Sequence, residues 1–268
     1  MNPVTFTFLG SGGSMGVPVI GCECSVCTSM NPKNKRMRPS GLLSIGEKRF
    51  LLDCGPDFHQ QALQFKIHAL DGIIFTHSHN DHTIGIDELR IYQIRSRKPL
   101  PCLLSVETAR DLSVRFDYMF NKNPSPHKLV SRFDIQCLES DRGWVDFQGL
   151  RIKYCSFLQS GMIVNGYRFG NFAYISDIRE YSETIFEDLQ DVEILVLSAL
   201  RYAPSPLHLS IDEAVEFAQK TGSKLTYLTH LAHELEYEQV NSYLPENIRL
   251  AYDGLEFSFK PDFTSYKP

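Results

Sequence analysis

The sequence predicts an α/β fold in which strands and helices form layers. Short apolar runs bounded by turn residues are typical of strands, and amphipathic stretches typical of helices lie between them. Of the 268 residues, 43% are hydrophobic and 22% are charged, which is ordinary for a globular protein with a full core. No repeat, low-complexity stretch or linker divides the chain, so we expect a single domain over residues 1–268.

The individual elements follow from the local pattern. The predicted strands are Val4–Leu9, Arg49–Asp53, Gly72–Thr76, Pro101–Ser105, Leu150–Cys155, Val164–Phe169, Phe172–Ser176, Ile194–Leu197, Leu225–Thr229, Arg249–Tyr252 and Glu256–Phe259. The predicted helices are Asp57–Phe65, Ile84–Arg95, Glu107–Phe116, Tyr181–Leu189, Ile211–Thr221 and His233–Tyr243. Ser210 and Glu213 have the spacing of a capping box, and Gly170-Asn171 is a hairpin signal. The polar, proline-containing stretch Asn121–Phe133 is typical of a loop or lid.

The composition bears on partners and location. The net charge of -5 and the pI of about 6.0 give no global attraction to nucleic acid, although a local basic patch stays possible. No run reaches the roughly 18 apolar residues that would span a bilayer, and the first residues lack the pattern of a signal peptide. We therefore expect a cytoplasmic protein that does not bind a membrane.

The cysteines suggest a metal site. Three of the seven lie in the short segment Cys22-Glu23-Cys24-Ser25-Val26-Cys27. In a reducing compartment such a cluster favours metal binding over disulfides. The other four lie in apolar stretches, where we expect free buried thiols; they are Cys54, Cys102, Cys137 and Cys155.

The most informative motif is His77-Ser78-His79-Asn80-Asp81-His82, which follows an apolar run typical of a buried strand. Residues two apart on a strand project to the same side, so His77 and His79 are expected to reach one ion. Asp81 and His82 lie beyond the strand and are expected to turn toward a second. Imidazoles and a carboxylate at a strand end are the ligands of a catalytic divalent-metal site.

Three further polar residues end predicted strands in the same way: Asp53, Asp177 and His230. Asp53 precedes a Gly-Pro turn and is interpreted as a cap or as a support for the metal ligands. The two oxygens of Asp177 would allow it to bridge two ions. Taken alone, each of these residues could equally well have a structural role. Together they are informative, because each one stands at the end of a predicted strand, as the histidine motif does.

In this order the motifs resemble the metallo-β-lactamase superfamily, and within it the phosphoribosyl 1,2-cyclic phosphate phosphodiesterase branch. The segments that carry the resemblance are Leu9-Gly10-Ser11-Gly12-Gly13, Gly16-Val17-Pro18, the three cysteines, Leu52-Asp53, Pro56-Asp57-Phe58, the histidine motif, Gly166-Tyr167-Arg168, Tyr174-Ile175-Ser176-Asp177, Leu228-Thr229-His230-Leu231-Ala232-His233 and Tyr252-Asp253-Gly254. The resemblance implies a four-layer αββα sandwich with metals in a cleft at one sheet edge.

The resemblance also implies roles for the site residues. The first metal would be bound by His77 and His79, the second by Asp81, His82 and His230, and Asp177 would bridge them. A separate structural zinc in an N-terminal loop at about residues 21–40 would be bound by Cys22, Cys24, Cys27 and His233. Three thiolates need a fourth ligand to close a tetrahedron. Asp81 and His208 are the expected catalytic residues, with His208 contacting phosphate or protonating the leaving oxygen.

The chain departs from this family at Gln159, which stands where a metal-binding histidine is expected shortly before Gly166. An amide oxygen is a poorer zinc ligand than imidazole, so the first metal would lose a ligand. His59 stands where the family often has arginine and is a candidate substrate contact.

The basic residues after the cysteine cluster are expected to form a solvated loop, with phosphate attraction near the cleft as the alternative. They are Lys33, Lys35, Arg36 and Arg38.

These features predict a hydrolase, most simply a phosphodiesterase that cleaves a small cyclic or diester phosphate with metal-activated water. The catalytic ions, one or two, would be zinc or manganese, since mixed His and Asp ligands suit both. A ribonuclease Z-like nuclease is the alternative, but we find no Gly/Lys-rich insertion that would hold transfer RNA. A non-catalytic binding member with a degraded metal centre is the third hypothesis. The sequence indicates no oligomeric state.

Overall fold

The computed structural model describes residues 4–120 and 130–262, and these residues form two seven-stranded β-sheets with helices. In spatial order the first sheet is β14 (Glu256–Ser258), β1 (Val4–Gly10), β2 (Ser40–Ile45), β3 (Lys48–Leu52), β4 (Gly72–Ile74), β5 (Leu100–Ser105) and β6 (Phe133–Leu138). The second is β13 (Ile248–Leu250), β12 (Leu225–Thr229), β11 (Ile194–Ser198), β10 (Phe172–Ile175), β9 (Met162–Phe169), β8 (Leu150–Gln159) and β7 (Arg142–Phe147).

The helices fall between these strands along the chain. The α-helices are α1 (Phe58–Gln64), α2 (Asn80–Thr83), α3 (Arg90–Ser96), α4 (Val106–Arg115), α5 (Asp117–Phe120), α6 (Ile185–Asp188), α7 (Ile211–Thr221) and α8 (Tyr237–Tyr243). Short 3-10 helices cover Pro32–Asn34 and Ile84–Leu89.

Three apolar clusters arrange these elements in four layers. One cluster lies between the sheets and joins Phe6 and Phe8 of β1 to Phe172 and Tyr174 of β10. A second packs α1, α3 and α4 on the outer face of the first sheet. The third packs α6, α7 and α8 on the outer face of the second. The αββα sandwich predicted from the family resemblance is therefore confirmed.

Local signals also appear as predicted. Ser210 and Glu213 form both hydrogen bonds of a capping box at the start of α7. Residues 170–171 join β9 to β10 as an antiparallel hairpin. The four outlying cysteines are free thiols; Cys54, Cys102 and Cys155 are buried, whereas Cys137 is half-buried. No helix among the described residues is long and apolar enough to cross a membrane.

Several boundaries differ from the prediction. Strands β2, β6 and β7 were not predicted. The β2 segment is rich in Gly and Ser, and Gly41 is required there because a Cβ would lie 2.4 Å from the Phe6 ring. β6 and β7 are edge strands with mostly solvent-facing side chains, so they lack a long apolar run. The predicted loop or lid at Asn121–Phe133 falls largely outside the described residues, because 121–129 are not among them.

The helix after the histidine motif is also not the single helix that was predicted over Ile84–Arg95. A turn of α-helix at Asn80–Thr83, the 3-10 helix Ile84–Leu89 and α3 follow one another instead. Gly85 accounts for the tighter segment, because its Cα packs on the backbone of Gly55, and a Cβ would lie 2.1 Å from the Gly55 carbonyl oxygen. The predicted helices Tyr181–Leu189 and His233–Tyr243 shorten to α6 and α8.

Candidate metal centre

The histidine motif lies in the loop between β4 and α2. We expected strand alternation to place His77 and His79 on one side, but β4 ends at Ile74 and His79 directly precedes α2, so that reason is wrong. The loop brings the rings together nevertheless, with His77 Nε2 3.0 Å from His79 Nδ1. Their approach is set by this loop and its hydrogen bonds.

Three strand ends bring further polar residues to the same edge of the sandwich. Asp53 directly follows β3, and His230 directly follows β12. Asp177 lies two residues after the end of β10. All three have left-handed backbones, with φ of 57°, 56° and 61°. This conformation is uncommon outside glycine and is enriched for Asp and His. It turns the chain sharply at the end of each strand, and all three side chains are buried.

Ligand-type atoms converge around Asp177. His82 Nε2 lies 2.9 Å from Asp177 Oδ2, and His230 Nε2 lies 3.1 Å from Asp177 Oδ1. Asp81 Oδ2 lies 3.6 Å from His82 Nε2 and 3.3 Å from His230 Nε2. The ligand atoms of His77, His82 and Asp177 lie within 4.8 Å of one another, as do those of Asp81, His82 and His230.

His79 is placed less centrally than expected. It is half-buried and lies against His77. Among the described residues, no group of three whose ligand atoms all lie within 4.8 Å of one another includes it.

Hydrogen bonds fix which nitrogen of each ring faces the cleft. Asp53 Oδ2 accepts from Thr76 Oγ1 at 2.8 Å and from His82 Nδ1 at 2.7 Å. Because the Thr76 hydroxyl proton goes to Asp53, the hydroxyl oxygen accepts from His77 Nδ1 at 2.9 Å. In the neutral rings, Nδ1 of both His77 and His82 therefore carries the proton, and Nε2 carries the lone pair. The neutral imidazole is the form that binds metal, so Nε2 is the available ligand atom.

The charge balance of the site calls for a cation. Burial disfavours a charged His82, but the surrounding Asp177, Asp81 and Asp53 outweigh burial and raise its pKa well above the ordinary value. Burial likewise disfavours ionised Asp177, but His230 and His82 hold its pKa well below the ordinary value. His82 Nε2 is also buried, and its 2.9 Å contact with Asp177 Oδ2 lacks the geometry of a hydrogen bond. An imidazole lone pair and buried carboxylate oxygens that converge on one point are the ligands that a divalent metal ion takes, so the residues present fit such an ion.

His208 and Gln159 flank Asp177 on its other side. His208 Nδ1 lies 3.2 Å from Asp177 Oδ1, and its ring stacks on His230 with centroids 4.6 Å apart. Gln159 Nε2 lies 3.4 Å from the same carboxylate oxygen and 3.2 Å from each ring nitrogen of His208. Gln159 Oε1 is buried without a partner. The side chain that replaces the expected histidine therefore points into the centre.

The cysteine cluster forms a second, separate site. His233 Nδ1 lies 3.3, 3.5 and 3.6 Å from the sulfurs of Cys22, Cys24 and Cys27, and none of the three forms a disulfide. A tetrahedron with zinc–ligand distances of about 2.1–2.3 Å has edges of roughly 3.4–3.8 Å. Two of the three measured edges lie in this range and the third, at 3.3 Å, is just below it, so the cluster fits a zinc ion. Residues 231 and 232 separate the two histidines, so His230 faces the cleft and His233 faces the cysteines.

The basic residues do not form the solvated loop that was expected. Arg36 is 2% exposed, because its guanidinium donates to the carbonyl oxygens of Ala232 and Leu235 and to Asn34 Oδ1. Arg38 lines a cavity of about 450 Å³ that also includes Asp81.

His59, a candidate substrate contact, has an exposed side chain that pairs with Glu88 at 3.1 Å. It is not among the described residues that line the Asp81 cavity.

Three residues near the site were missed or only partly recognised in the sequence. Asp53 was left open as a cap or a support, and its contacts with Thr76 and His82 identify it as a support. Thr76 was missed, because a threonine at a strand end carries no distinctive signal. Arg38 was grouped with its basic neighbours, and only its position beside Asp81 separates it from them.

Comparisons with known proteins agree with this architecture. Residues 48–231, well over half of the chain, match the family model described as a beta-lactamase superfamily domain. The crystal structure of a diphosphatase from the PhnP family is similar, with a TM-score of 0.88, 36% sequence identity, and coverage of 96% of this chain and 98% of that one.

Two curated proteins are also similar along most of this chain. An octanoyltransferase from Porphyromonas gingivalis is 33% identical over 251 residues, which are 92% of this chain but 50% of that protein. The chain thus spans about half the length of that relative. A ribonuclease Z from Methanopyrus kandleri is 24% identical over 284 residues, covering 92% of this chain and 95% of that protein.

The family match, the αββα sandwich and the polar residues gathered at one edge of its sheets agree with one another. The fold is one used by metal-dependent hydrolases. The chain belongs to the metallo-β-lactamase superfamily.

Proposed function

We propose that this protein is a metal-dependent phosphoric diester hydrolase that acts on a small cyclic or diester phosphate. The observation that carries the proposal is Asp177, a buried carboxylate whose ligand atoms group with those of His77 and His82 on one side and with those of His208 and His230 on the other. Such a carboxylate is suited to lie between two ions. Similarity to a PhnP-family diphosphatase supports phosphate as the group acted on.

The proposed ligands divide into two sets that share Asp177. His77 and His79 would hold the first ion. Gln159, which stands in the sequence where a third imidazole is expected, lies against Asp177 Oδ1 and His208. Asp81, His82 and His230 would hold the second. The ions, zinc or manganese, would lower the pKa of water and polarise the phosphate oxygens. Asp53 would orient His82 through the bond to Nδ1.

His208 is proposed to act on the phosphate or on the leaving oxygen. Burial and the neighbouring His230 lower its pKa to about 4, so it is neutral at pH 7 before substrate binds. An anionic phosphate alongside would raise its pKa and favour the proton-donor role.

We further propose that Cys22, Cys24, Cys27 and His233 bind a structural zinc, and that residues 1–268 form one domain. The zinc would join the N-terminal loop to the segment after β12. Arg36 makes the same connection through Ala232 and Leu235, so two independent contacts would hold the loop.

A ribonuclease Z-like activity is the second candidate, favoured by the alignment with the Methanopyrus protein over 92% of this chain. The net charge of -5 disfavours it, because transfer RNA binding depends on basic surface. Salt-dependent binding of transfer RNA together with cleavage would replace the first proposal.

The test is hydrolysis of bis(nitrophenyl) phosphate by purified protein, with metal content measured on the same sample. We expect activity that is lost on chelation and restored by zinc or manganese. Asp81→Ala is expected to abolish it with little effect on folding, whereas Asp87→Ala, a change at a half-exposed aspartate in the neighbouring 3-10 helix, should leave it intact.

Two results would contradict the proposal. The first is a metal-loaded protein that binds phosphate diesters without hydrolysing them, which would support a non-catalytic binding member instead. The second is equal activity in the Asp81→Ala variant and the wild type, which would place the reaction elsewhere.

A further inference from the structure

The ligands in the histidine motif alternate with two residues that are not ligands, Ser78 and Asn80. Both are bound by one helix, α4, which packs on the outer face of the first sheet. Ser78 is 4% exposed, and its hydroxyl donates to Asp111 Oδ2 at 2.7 Å. Arg115 donates through Nη1 to Asn80 Oδ1 at 2.9 Å and through Nη2 to the Ser78 carbonyl oxygen. The helix therefore holds the motif on both sides of His79.

Helix α4 is a firm support for these contacts. The Ser105 side chain caps its N-terminus, and Leu112 and Phe116 pack in the apolar cluster on the outer face of the first sheet. Asp111 and Arg115 are four residues apart, so they lie on the same side of the helix, one turn from each other. One face of α4 therefore presents a carboxylate acceptor and a forked guanidinium donor at a fixed spacing.

The segment that α4 holds has little regular structure of its own. Helix α2 (Asn80–Thr83) is a single turn, and so short a helix is not stable in isolation. The Thr83 hydroxyl lies 3.2 Å from the carbonyl oxygen of Ser78 and 2.8 Å from that of His79, and it donates within the segment itself. The contacts with α4 join the His79 end of this turn to an element that is packed on the sheet.

His79 depends on its backbone more than the other histidines of the motif do. The rings of His77 and His82 are oriented by hydrogen bonds to neighbouring side chains. In the described part of the chain, the half-buried ring of His79 contacts His77 Nε2 instead, an atom that would itself face the ion. The direction of the His79 ring is thus set by the backbone on either side of it, which α4 holds.

We propose that Asp111 and Arg115 are positioning residues for the first metal ion. They would hold Ser78 and Asn80 in place, so that His79 is directed toward the ion, and they would contact neither the ion nor the substrate. Residues that orient a metal ligand typically contribute about 10–100-fold to metal affinity. The inference rests on the proposed function and goes beyond it, because it assigns part of the first site to a helix that supplies no ligand.

The experiment measures zinc binding directly. Purified protein is dialysed to equilibrium against buffers of graded free zinc, and bound zinc is counted by elemental analysis after the zinc of the cysteine site is subtracted. We expect Arg115→Met to raise the dissociation constant of the first ion by about 10–100-fold and to leave that of the second ion unchanged. Asp111→Ala should act in the same direction. Equal dissociation constants in Arg115→Met and the wild type would overturn the proposal.

Two further variants separate positioning from general stability. Arg110→Met removes another exposed arginine of α4 and should change neither dissociation constant. Asp111→Asn keeps a side-chain oxygen that can accept from Ser78, so it should recover most of the affinity that Asp111→Ala loses. Equal weakening of both ions in Arg115→Met, or the same loss in Arg110→Met, would give α4 only a structural role and overturn the proposal.

A double-mutant cycle tests the contact between Ser78 and Asp111. Ser78→Ala removes the hydroxyl that donates to Asp111, so it should weaken the first ion about as much as Asp111→Ala does. The double variant should bind the first ion no more weakly than either single variant, because all three lose the same hydrogen bond. Additive losses would show that the two residues act independently, and they would overturn the role of Asp111.

Zinc affinity keeps failure of this inference distinct from failure of the proposed function. If zinc-loaded protein hydrolyses no phosphate diester, the proposed function is wrong, and the affinity of the first ion still decides the role of α4. With bis(nitrophenyl) phosphate as substrate, Arg115→Met should regain the kcat and KM of the wild type at saturating zinc, because a positioning residue is needed only to hold the ion. A loss that persists at saturating zinc would place Arg115 in contact with the substrate and overturn the positioning role.

Discussion

Replacing Gln159 with histidine should convert an unequal pair of metal sites into an equal one. Gln159 ends β8, is 2% exposed, and places its amide nitrogen 3.4 Å from Asp177 Oδ1. The amide oxygen is buried without a partner. In this orientation Gln159 offers the centre a donor, whereas a metal requires a lone pair. With His77, His79 and Asp177 as its protein ligands, the first ion should be held more weakly than the second.

The size of the effect can be bounded from ligand chemistry. A change in a residue that merely supports a ligand typically costs about 10–100-fold in metal affinity, and a missing ligand should cost at least as much. Gln159→His adds an imidazole beside Asp177 and should recover that factor for the first ion. We expect the wild type to lose the first ion on dialysis while the variant retains two. Phosphodiesterase activity should rise in parallel.

The assay is elemental analysis after dialysis against graded chelator, with the zinc of the cysteine site subtracted. Gln190→His is the matched control, because it adds an imidazole at an exposed position outside the centre. Retention of two ions in the cleft by the wild type would refute the view of Gln159 as a defect. So would equal retention by Gln159→His and Gln190→His.

The remaining predictions concern both sites. Asp53→Asn removes the carboxylate that orients His82 and should weaken metal retention by about 10–100-fold in chelator competition, whereas unchanged retention would exclude that role. His208→Ala should lower turnover roughly 10²–10⁴-fold on an alkyl diester and much less on a nitrophenyl ester, and equal losses would leave it only a binding role. Cys24→Ser should lower both zinc content and the melting temperature, and an unchanged melting temperature would argue against a structural zinc. In chelator-stripped protein, iodoacetamide should modify Cys24 before Cys27 at pH 7, as followed by mass spectrometry. The Cys27 backbone N–H lowers the pKa of Cys24 to about 6, so its reactive thiolate forms as the pH rises through that value, whereas burial raises the pKa of Cys27 to about 11.

The order of layers could be predicted because the family motifs cover most of the chain. The central strands could be predicted because they are buried on both faces and read as apolar runs, as in Ile194–Ser198. The edge strands Phe133–Leu138 and Arg142–Phe147 could not be predicted in this way. Polar side chains on their exposed face interrupt the apolar run that marks a buried strand. The presence of a helix was easier to predict than its length. The helix predicted over Tyr181–Leu189, for example, is observed as α6 at Ile185–Asp188.

The residues of the candidate site were visible in the sequence, but their contacts were not. Asp177 and His230 were found because strand ends meet at one edge of a sheet, a property of topology that the sequence pattern conveys. The loop conformation at His77 and His79 depends on Asp53 and Thr76, so it could not be derived from strand alternation.

Arg36 and Arg38 illustrate the same limit. They are two residues apart and chemically identical, and only the distant carbonyls of Ala232 and Leu235 decide which one is buried.

Asp177 would contact both proposed ions, so the loss of one ion should affect how tightly the other is bound. Its Oδ2 faces His82, while its Oδ1 faces both His230 and His208. If the first ion is lost, Asp177 still has the second ion and the imidazoles to balance its charge, so the second site should survive. If the second ion is lost, a buried carboxylate and Asp81 face each other across His230 with less positive charge between them, and the first site should fail as well. Loss of metal should thus proceed in one order, from the Gln159 side toward Asp81.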